Sequence, residues 1–502
     1  KKLSMLSNIK AILKNSAIYG FGNLSTKLAG FILIPIYTSH FSVAEFGVLS
    51  MMEVTAQVII AVFGLSLYQG FFRWYWDKGM AGRQKGLFFT VTMILIGVSL
   101  VTAAILFPLL NTISVWFFQT AEYSYLLKMM LIASLMQMVM VMPSTLLRLQ
   151  EKAVLYTATN LIQLSVNLFF TIFFIIHFHQ KVEGIYHAQI IGSVVYFLVL
   201  FRFIIKNSAF RFETKVLKDM LVFCYPLILS AISGVIFNVT DRYSLKILGD
   251  LQNVGIYSLG FKITNTLYVF VITSVMFAIQ PMIYKKMDAP DNKRFYSKLM
   301  TYLTFGIMFF VLGVMLFGKE IIKVLAQKTA YWDAYQIIPF LAYAILFGMF
   351  KDIATTGLNI TKKTKIIAIT VALMAALNIA LNFVFIPFLH NMGAALSKML
   401  SQIVFFVIIY RSSQKVYPIP YEIMKLMKML ILGIALYFLS LLTNDMQLIW
   451  RLTIKTAMIA SFPVILYFMN FYEKIELETM YGGWNKWRNL SRFKENLKTI
   501  HF

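Results

Sequence analysis

Residues 86–110 read GLFFTVTMILIGVSLVTAAILFPLL, an apolar run without a charged residue. A membrane-crossing helix needs about 20 mainly apolar residues, so this run is long enough to cross a bilayer. In hydrocarbon, every backbone group must be paired within a helix or a closed barrel, and the run lacks the alternation of a barrel strand. The sequence therefore predicts an α-helical membrane span here.

Similar runs recur along all 502 residues of the chain, which is 59% hydrophobic and 13% charged. Soluble domains are usually less apolar and more highly charged. We predict an all-α polytopic membrane protein with about fourteen transmembrane helices and no large soluble domain. The predicted spans are residues 16–37, 46–67, 86–110, 126–147, 154–177, 185–205, 219–240, 254–280, 299–317, 335–358, 365–388, 392–410, 425–442 and 448–470.

The distribution of lysine and arginine predicts the orientation of these spans. Alternate connections, together with the two ends of the chain, hold 33 of the 46 basic residues, whereas the opposite connections hold seven. Because basic residues are retained on the cytoplasmic side during insertion, both termini are expected to be cytoplasmic. This arrangement accounts for most of the formal net charge of +25, so we expect no nucleic-acid partner. The first apolar run continues as a full-length span, so we expect no cleavable signal peptide.

Signatures of soluble enzymes are missing from the sequence. There is no GxxxxGK loop and no HExxH motif. Cys224 is the only cysteine, which rules out an internal disulfide and a cysteine metal cluster. His177, His179 and His187 gather near a predicted outer loop without the cysteines and carboxylates that usually complete a metal site. We therefore predict no catalytic residue, no metal and no cofactor.

An internal repeat predicts the organisation of the spans. Residues 46–50 (FGVLS) recur as residues 254–258 (VGIYS), and each stretch opens a span after a short outer loop. Two more pairs follow nearly the same spacing: residues 147–152 with 358–363, and Gly184 with Gly393. Repeats in the same direction indicate two pseudo-symmetric six-helix lobes with a cavity between them. The predicted domains are an N-lobe (1–212), a C-lobe (213–412), two extra C-terminal helices (413–470) and a basic tail (471–502).

The basic tail mixes tryptophan and phenylalanine with lysine and arginine. This composition suits a cytoplasmic amphipathic segment on the anionic inner leaflet, although a solvated tail would have a similar composition.

Lysines within the predicted spans are the candidate substrate-binding residues. They are Lys27, Lys262, Lys351 and Lys398. A lysine at mid-helix costs about 2.5–3.5 kcal/mol on insertion scales, so it normally faces an interior or a water-filled path. Because cations outnumber acids within the spans, we expect internal pairing not to neutralise all of them. The prediction is a wet, positively charged cavity for an anion such as a diphosphate. The alternative is that these side chains join helices or reach an interface.

Four further charged residues are candidates for ion coupling or gating. Glu53 and Asp352 lie within spans and could bind a proton or a cation, or could simply pair with a lysine on a neighbouring helix. Asp241 and Arg242 lie at the outer end of span 7, where they would form either a gate or a helix-end ion pair.

Amides also recur at helical spacing within the spans. Asn160, Gln163 and Asn167 share one face of span 5, and Asn378 and Asn382 share one face of span 11. We expect these side chains mainly to hold helices together by hydrogen bonds, and the alternative is that they face the water-filled interior.

Two stretches resemble the polysaccharide and O-antigen flippases (Wzx type) of the multidrug, oligosaccharidyl-lipid and polysaccharide exporter (MOP) superfamily. They are residues 15–51 (NSAIYGFGNLSTKLAGFILIPIYTSHFSVAEFGVLSM) and residues 241–265 (DRYSLKILGDLQNVGIYSLGFKITN). The resemblance implies a V-shaped, two-lobed carrier in the bacterial inner membrane. Its cargo would be an undecaprenyl-diphosphate-linked oligosaccharide, moved to the outer leaflet by alternating access for surface polysaccharide assembly.

The resemblance also assigns roles to individual residues. In related lipid flippases, cations on the first and eighth helices line the cavity, and Lys27 and Lys262 occupy similar places. Glu45, in the AEFG stretch, is similar to an acidic position that helps to close the outer gate. Lysine in place of arginine departs from the pattern, because lysine cannot bind a diphosphate in the bidentate manner of arginine.

The resemblance also implies partners, and two other functions remain as alternatives. The implied partners are membrane lipid, H⁺ or Na⁺, and the polysaccharide polymerase and chain-length machinery. A multidrug exporter of the same superfamily is the first alternative function, and a membrane polysaccharide polymerase or ligase is the second.

Overall fold

The fold is built from long apolar helices. The computed structural model describes Ser25, residues 30–285, Met287 and residues 289–478. Nearly all of these residues are helical and none of them forms a strand, which confirms the all-α fold class. The α-helices are α1 (Ile34–His40), α2 (Val43–Phe63), α3 (Leu67–Trp74), α4 (Gln84–Phe118), α5 (Ser124–Leu149), α6 (Ala153–Ile176), α7 (Val182–Asn207), α8 (Thr214–Leu248), α9 (Leu251–Leu267), α10 (Ser274–Lys285), α11 (Asn292–Leu316), α12 (Gly318–Leu325), α13 (Ile338–Ala354), α14 (Thr356–Ile360), α15 (Thr364–Val416), α16 (Ile423–Leu441) and α17 (Leu448–Phe468).

Three irregular helical segments connect some of these elements, the shortest being the 3-10 turn Lys78–Met80 between α3 and α4. A π-helical segment, Tyr268–Thr273, joins α9 to α10, and a 3-10 segment, Thr329–Ile337, leads into α13. With these segments included, twelve helices of the described residues are long and apolar enough to cross a membrane. The chain is therefore a multi-pass membrane protein.

The longest helix contains two predicted spans. α15 has 53 residues and consists of two helices that meet at a sharp kink, so each of them is long enough to cross a bilayer once. It bends at His390, whose φ of 45° and ψ of −120° are not helical, three residues after Pro387. Proline removes a helical hydrogen bond and clashes with the preceding turn, so a bend here is expected. Thirteen of the fourteen predicted spans thus have a counterpart, and the first lies mostly outside the described residues.

The described residues fall into two compact units. The first lies within residues 1–288 and 318–418, and the second within residues 289–317 and 419–502. In the first unit, α15 packs along α8 and α13, α6 packs along α7, and α9 packs along α2. In the second, α11 packs against α16 and α17. The lobe boundaries predicted at residues 212 and 412 stay predictions, and most of the predicted tail lies outside the described part of the chain.

The repeated FGVLS and VGIYS stretches meet where α2 crosses α9. A Cβ at Gly47 would overlap the carbonyl oxygen of Leu251, and a Cβ at Gly255 would overlap that of Val43. The two contacts are equivalent under the repeat, and only glycine permits backbones to approach this closely. The first turn of α2 is fixed by a capping box, in which Ser42 and Glu45 bond each other's backbone N–H groups.

Candidate functional site

The predicted cations that the structure describes all lie beside carboxylates. Lys262, Lys351 and Lys398 each have a carboxylate oxygen within 3.2 Å, whereas Lys27 lies outside the described residues. Each of these three is therefore paired, and whether pairing leaves other span cations without an acid stays a prediction. The pairs differ in exposure, and that difference separates their roles.

The first pair joins the helices that carry the repeat. Lys262 Nζ on α9 lies 2.7 Å from Glu53 Oε1 on α2, and the ammonium group is 5.2 Å from the centre of the Phe46 ring. The side chains are 21% and 37% exposed, so neither group is enclosed by protein. Glu53 lies one turn beyond Ser50, and Lys262 lies one turn beyond Ser258, whose hydroxyls are hydrogen-bonded to each other. The glycines, the serines and the ion pair therefore follow one another along the same contact between α2 and α9.

The second pair lies at the end of α13. Lys351 Nζ is 2.5 Å from Asp352 Oδ1, and it is 5.0 Å from the centre of the Phe405 ring on α15. The two side chains are 23% and 32% exposed. Asp352 had been expected to pair, if at all, with a lysine on a neighbouring helix, and it pairs instead with the adjacent residue. The ion pair thus stays within α13, and Lys351 contacts α15 only through the ring of Phe405.

The third pair is enclosed between α8 and α15. Lys398 Nζ lies 3.2 Å from Asp241 Oδ2 and donates a hydrogen bond to the carbonyl of Phe237. The Tyr257 hydroxyl donates to Asp241 at 2.9 Å, and Asn382 Nδ2 lies 3.3 Å from the other carboxylate oxygen. Lys398 and Asp241 are only 6% and 0% exposed as side chains. Lys398 therefore does not face a wet cavity here, and it joins two helices.

Arg242 follows Asp241 in sequence but has different partners. Its guanidinium carbon lies 4.1 Å from the centre of the Phe261 ring on α9, and Nη1 donates to the Asn238 carbonyl at 3.3 Å. No ion pair joins Asp241 to Arg242 within this described segment. The helix-end pair that the sequence suggested is therefore absent, and Arg242 packs by cation–π contact.

Glu45 lies at the start of α2, where the resemblance assigned it to a gate. Its Oε1 is 2.5 Å from Lys181 Nζ, which precedes α7 and is 66% exposed as a side chain. The hydrogen bond to the Glu45 carboxylate raises the pKa of Lys181. The pair thus joins the start of α2 to the start of α7 at the surface, where ion pairs contribute little stability.

The amides of the two predicted faces have different surroundings. Asn378 and Asn382 on α15 are fully buried, and they bond Ser401, Asp241 and each other. Hydrogen bonding between helices, as expected, accounts for both. Asn160, Gln163 and Asn167 on α6 instead line a cavity of about 310 Å³.

Helices α5 and α7 complete the cavity. They contribute Gln137, Ser144, Gln189 and Ser193, residues that sequence reasoning missed. Isolated polar residues within apolar spans were the available signal, but the direction each one faces depends on how the helices are packed.

Comparisons with known proteins agree with this architecture. A family model described as polysaccharide biosynthesis protein matches residues 12–287, more than half of the chain. A MatE family model matches residues 226–384. A search of curated proteins found no match.

Solved transporter structures share the fold. The lipid II flippase MurJ in an inward closed conformation has a TM-score of 0.69 at 14% identity, over 91% of this chain and 100% of that chain. An inward-facing multidrug resistance MATE family transporter of the MOP superfamily has a TM-score of 0.63 at 14% identity, over 78% of this chain and 94% of that chain. A MOP superfamily transporter from Pyrococcus furiosus has a TM-score of 0.58 at 14% identity, over 81% of this chain and 95% of that chain. The chain therefore belongs to the family of polysaccharide biosynthesis proteins and has the fold of MOP superfamily transporters.

Proposed function

We propose that this chain flips an undecaprenyl-diphosphate-linked oligosaccharide across the bacterial inner membrane by alternating access. The product would serve O-antigen or other surface polysaccharide assembly. The family match and the MurJ-like fold support a lipid-linked cargo, and the excess of basic residues in alternate connections supports cytoplasmic termini.

The Lys262–Glu53 pair is the observation that carries the proposal. Its ammonium group lies within a span, is partly exposed, and is held by one carboxylate. A diphosphate has more negative charge than a carboxylate and more oxygens to accept hydrogen bonds, so it competes well for the same lysine. Glu53 acts in this view as a stand-in for the headgroup while the carrier is empty.

Displacing Glu53 has a mechanical consequence. The pair lies on the same two helices as the glycine crossing, one turn beyond the Ser50–Ser258 hydrogen bond. A headgroup that takes Lys262 removes one of the links between α2 and α9, and so favours separation of their outer ends. A ligand shifts such an equilibrium only by its preference for one state, which the exchange of partners provides.

Lys351 is proposed as a second headgroup contact, because its ion pair is similarly exposed. Lys27 stays a proposal that rests on the resemblance alone. Lys398 is reassigned from headgroup binding to holding α8 against α15. The carboxylates freed by the headgroup, Glu53 and Asp352, are the proposed sites for H⁺ or Na⁺.

Binding of undecaprenyl diphosphate to the protein in lipid nanodiscs tests the proposal. Lys262→Ala should weaken binding about tenfold or more, because it removes a charge-assisted hydrogen bond. Glu53→Gln should tighten binding, because it removes the competitor and leaves the ammonium. Lys246→Ala on α8 is the control, and it should neither weaken nor tighten the binding of undecaprenyl diphosphate.

Opposite effects of the two variants distinguish a binding lysine from a structural one. If Lys262 only joined the helices, both substitutions would break the same link and act in the same direction. Weakening by both, or no effect of either, would contradict the proposal. Surface polysaccharide measured at equal protein level gives the matching test in cells.

A drug exporter is the second candidate, because the MatE model matches residues 226–384. Cationic drugs require an acidic site, and here Glu53, Asp241 and Asp352 each already bind a lysine. A drug-susceptibility panel separates the two functions, since a flippase leaves susceptibility unchanged at equal envelope integrity.

A further inference from the structure

The cavity between α5, α6 and α7 has a lining unlike that of the cationic pairs. It measures about 310 Å³, and among the described residues that line it none is charged. Its polar members include Gln137, Asn160, Gln163, Asn167, Gln189 and Ser193. Polar residues are expensive inside a membrane, so a group of amides around one space calls for an explanation beyond packing.

The cavity lies near the middle of its three helices. Gln137, Gln163 and Ser193 each fall within two residues of the midpoint of α5, α6 and α7, which have 26, 24 and 26 residues. Helices of this length cross a bilayer once, so these side chains lie near the membrane midplane. Carriers that work by alternating access bind cargo at this depth.

The lining also decides which chemistry fits. An amide both donates and accepts hydrogen bonds, as sugar hydroxyls do, whereas a diphosphate or a cationic drug needs an opposite charge. A volume of about 310 Å³ is at the lower end of small-molecule sites, which span about 300–1,000 Å³, and suits part of an oligosaccharide.

We propose that this cavity is a subsite for neutral sugar residues of the cargo, distinct from the place where the diphosphate meets Lys262. The inference rests on the proposed function and adds the substrate group that this site recognises. Amides on α6 at i, i+3 and i+7 present one hydrogen-bonding face to the sugar, and α5 and α7 present the others.

Two matched ligands test the inference. The first is the lipid-linked oligosaccharide extracted from cells that lack this chain, and the second is undecaprenyl diphosphate, the same lipid without sugars. The affinity of the intact protein in nanodiscs is measured for both. The wild-type protein should bind the sugar-bearing lipid more tightly than the sugar-free lipid.

Variants of the cavity should lose that difference. Asn160→Leu and Gln163→Leu should each weaken binding of the sugar-bearing lipid about five- to tenfold and leave the sugar-free lipid unaffected. Gln163→Ala is included because a larger apolar side chain could disturb folding. Gln402→Leu, an amide on α15 outside the cavity, is the matched control and should affect neither ligand.

The outcomes separate the two proposals. Equal losses for both lipids in all cavity variants, or no loss for either, would overturn the sugar subsite and leave the flippase function standing. Failure of the wild-type protein to bind either lipid would contradict the flippase function and the subsite with it. The same holds if cells lacking the chain accumulate no lipid-linked sugar.

Discussion

The hydroxyls of Ser50 and Ser258 lie 2.6 Å apart, although 208 residues of chain separate them. This is also the spacing between Gly47 and Gly255, each of which admits a backbone carbonyl from the other helix. The repeat that first appeared as two similar pentapeptides is thus a single symmetric contact. In a transporter that works by alternating access, such a contact is suited to forming and breaking as a unit.

A larger side chain at the crossing should keep the first turns of α2 and α9 apart. Gly255→Leu would place carbon atoms against the Val43 carbonyl. Overpacking of this kind costs about 1–3 kcal/mol, which shifts the balance of closed and open states about 5- to 150-fold. Transport should fall, and Ser258→Cys in a Cys224→Ser background should become accessible to an impermeant maleimide added from outside.

The control for this variant is Gly97→Leu on α4. A Cβ at Gly97 meets no other atom within 4 Å, so the added side chain should change neither transport nor labelling. If labelling of Ser258→Cys is the same with and without Gly255→Leu, the crossing is not the element that opens.

The buried pair of Lys398 and Asp241 should behave as a structural link. Lys398→Met leaves a carboxylate without its ammonium in an enclosed site, which should destabilise the protein by about 3–5 kcal/mol. The double variant Lys398→Met/Asp241→Asn should recover most of that loss, because neither buried charge remains. Thermal unfolding in detergent measures both effects.

Ligand binding provides the second half of that experiment. The double variant should bind undecaprenyl diphosphate as the wild-type protein does. Loss of binding in a variant that is folded and stable would return Lys398 to the headgroup site.

Hydropathy alone predicted the spans, because the bilayer sets the length and composition of each helix. It underestimated α4 and α8, which have 35 residues each and extend beyond the predicted runs. Helix continuation at a membrane surface depends on local capping and packing, which a window of apolar residues does not contain. The kink at His390 falls between the predicted spans 365–388 and 392–410, although the sequence did not predict the kink itself.

Ion pairing could not be predicted in the same way. Lys262 and Glu53 lie 209 residues apart, and only the crossing of α2 and α9 brings them together. Counting charges within spans gave an excess of cations, yet the three described lysines each reach an acid. Similarly, the amide face of α6 was visible as a spacing, but the cavity exists only because α5 and α7 supply its other walls.

Stability of the second unit should fall in acid because of Glu422. Burial opposes ionisation of this carboxyl, but hydrogen bonds from Thr301, Lys298 and Lys425 prevail and lower its pKa from 4.5 to about 2. Such a group stabilises the folded state fully above about pH 4.5, and its contribution is lost as the pH falls towards 2. We expect a loss on the order of 1–2 kcal/mol over that range after allowance for solvent screening.

The check is the pH dependence of unfolding in Glu422→Gln. This variant should be less stable than the wild-type protein at pH 7, and it should lose less additional stability between pH 5 and pH 3. Parallel curves for the two proteins would show that another carboxyl is responsible.

Glu213 provides a contrast with the buried pair, because its partners are exposed. Arg83 hydrogen-bonds both of its carboxylate oxygens, and Arg211 lies 3.3 Å away. The hydrogen bond from Arg83 lowers the pKa of Glu213. Glu213→Ala leaves two arginines whose side chains are already 40% and 69% exposed, so water can solvate them. We therefore expect a smaller loss of stability than for Lys398→Met in the same unfolding assay. An equal or larger loss would mean that Glu213, at the predicted boundary between the lobes, holds α4 to α8 more firmly than a surface ion pair can.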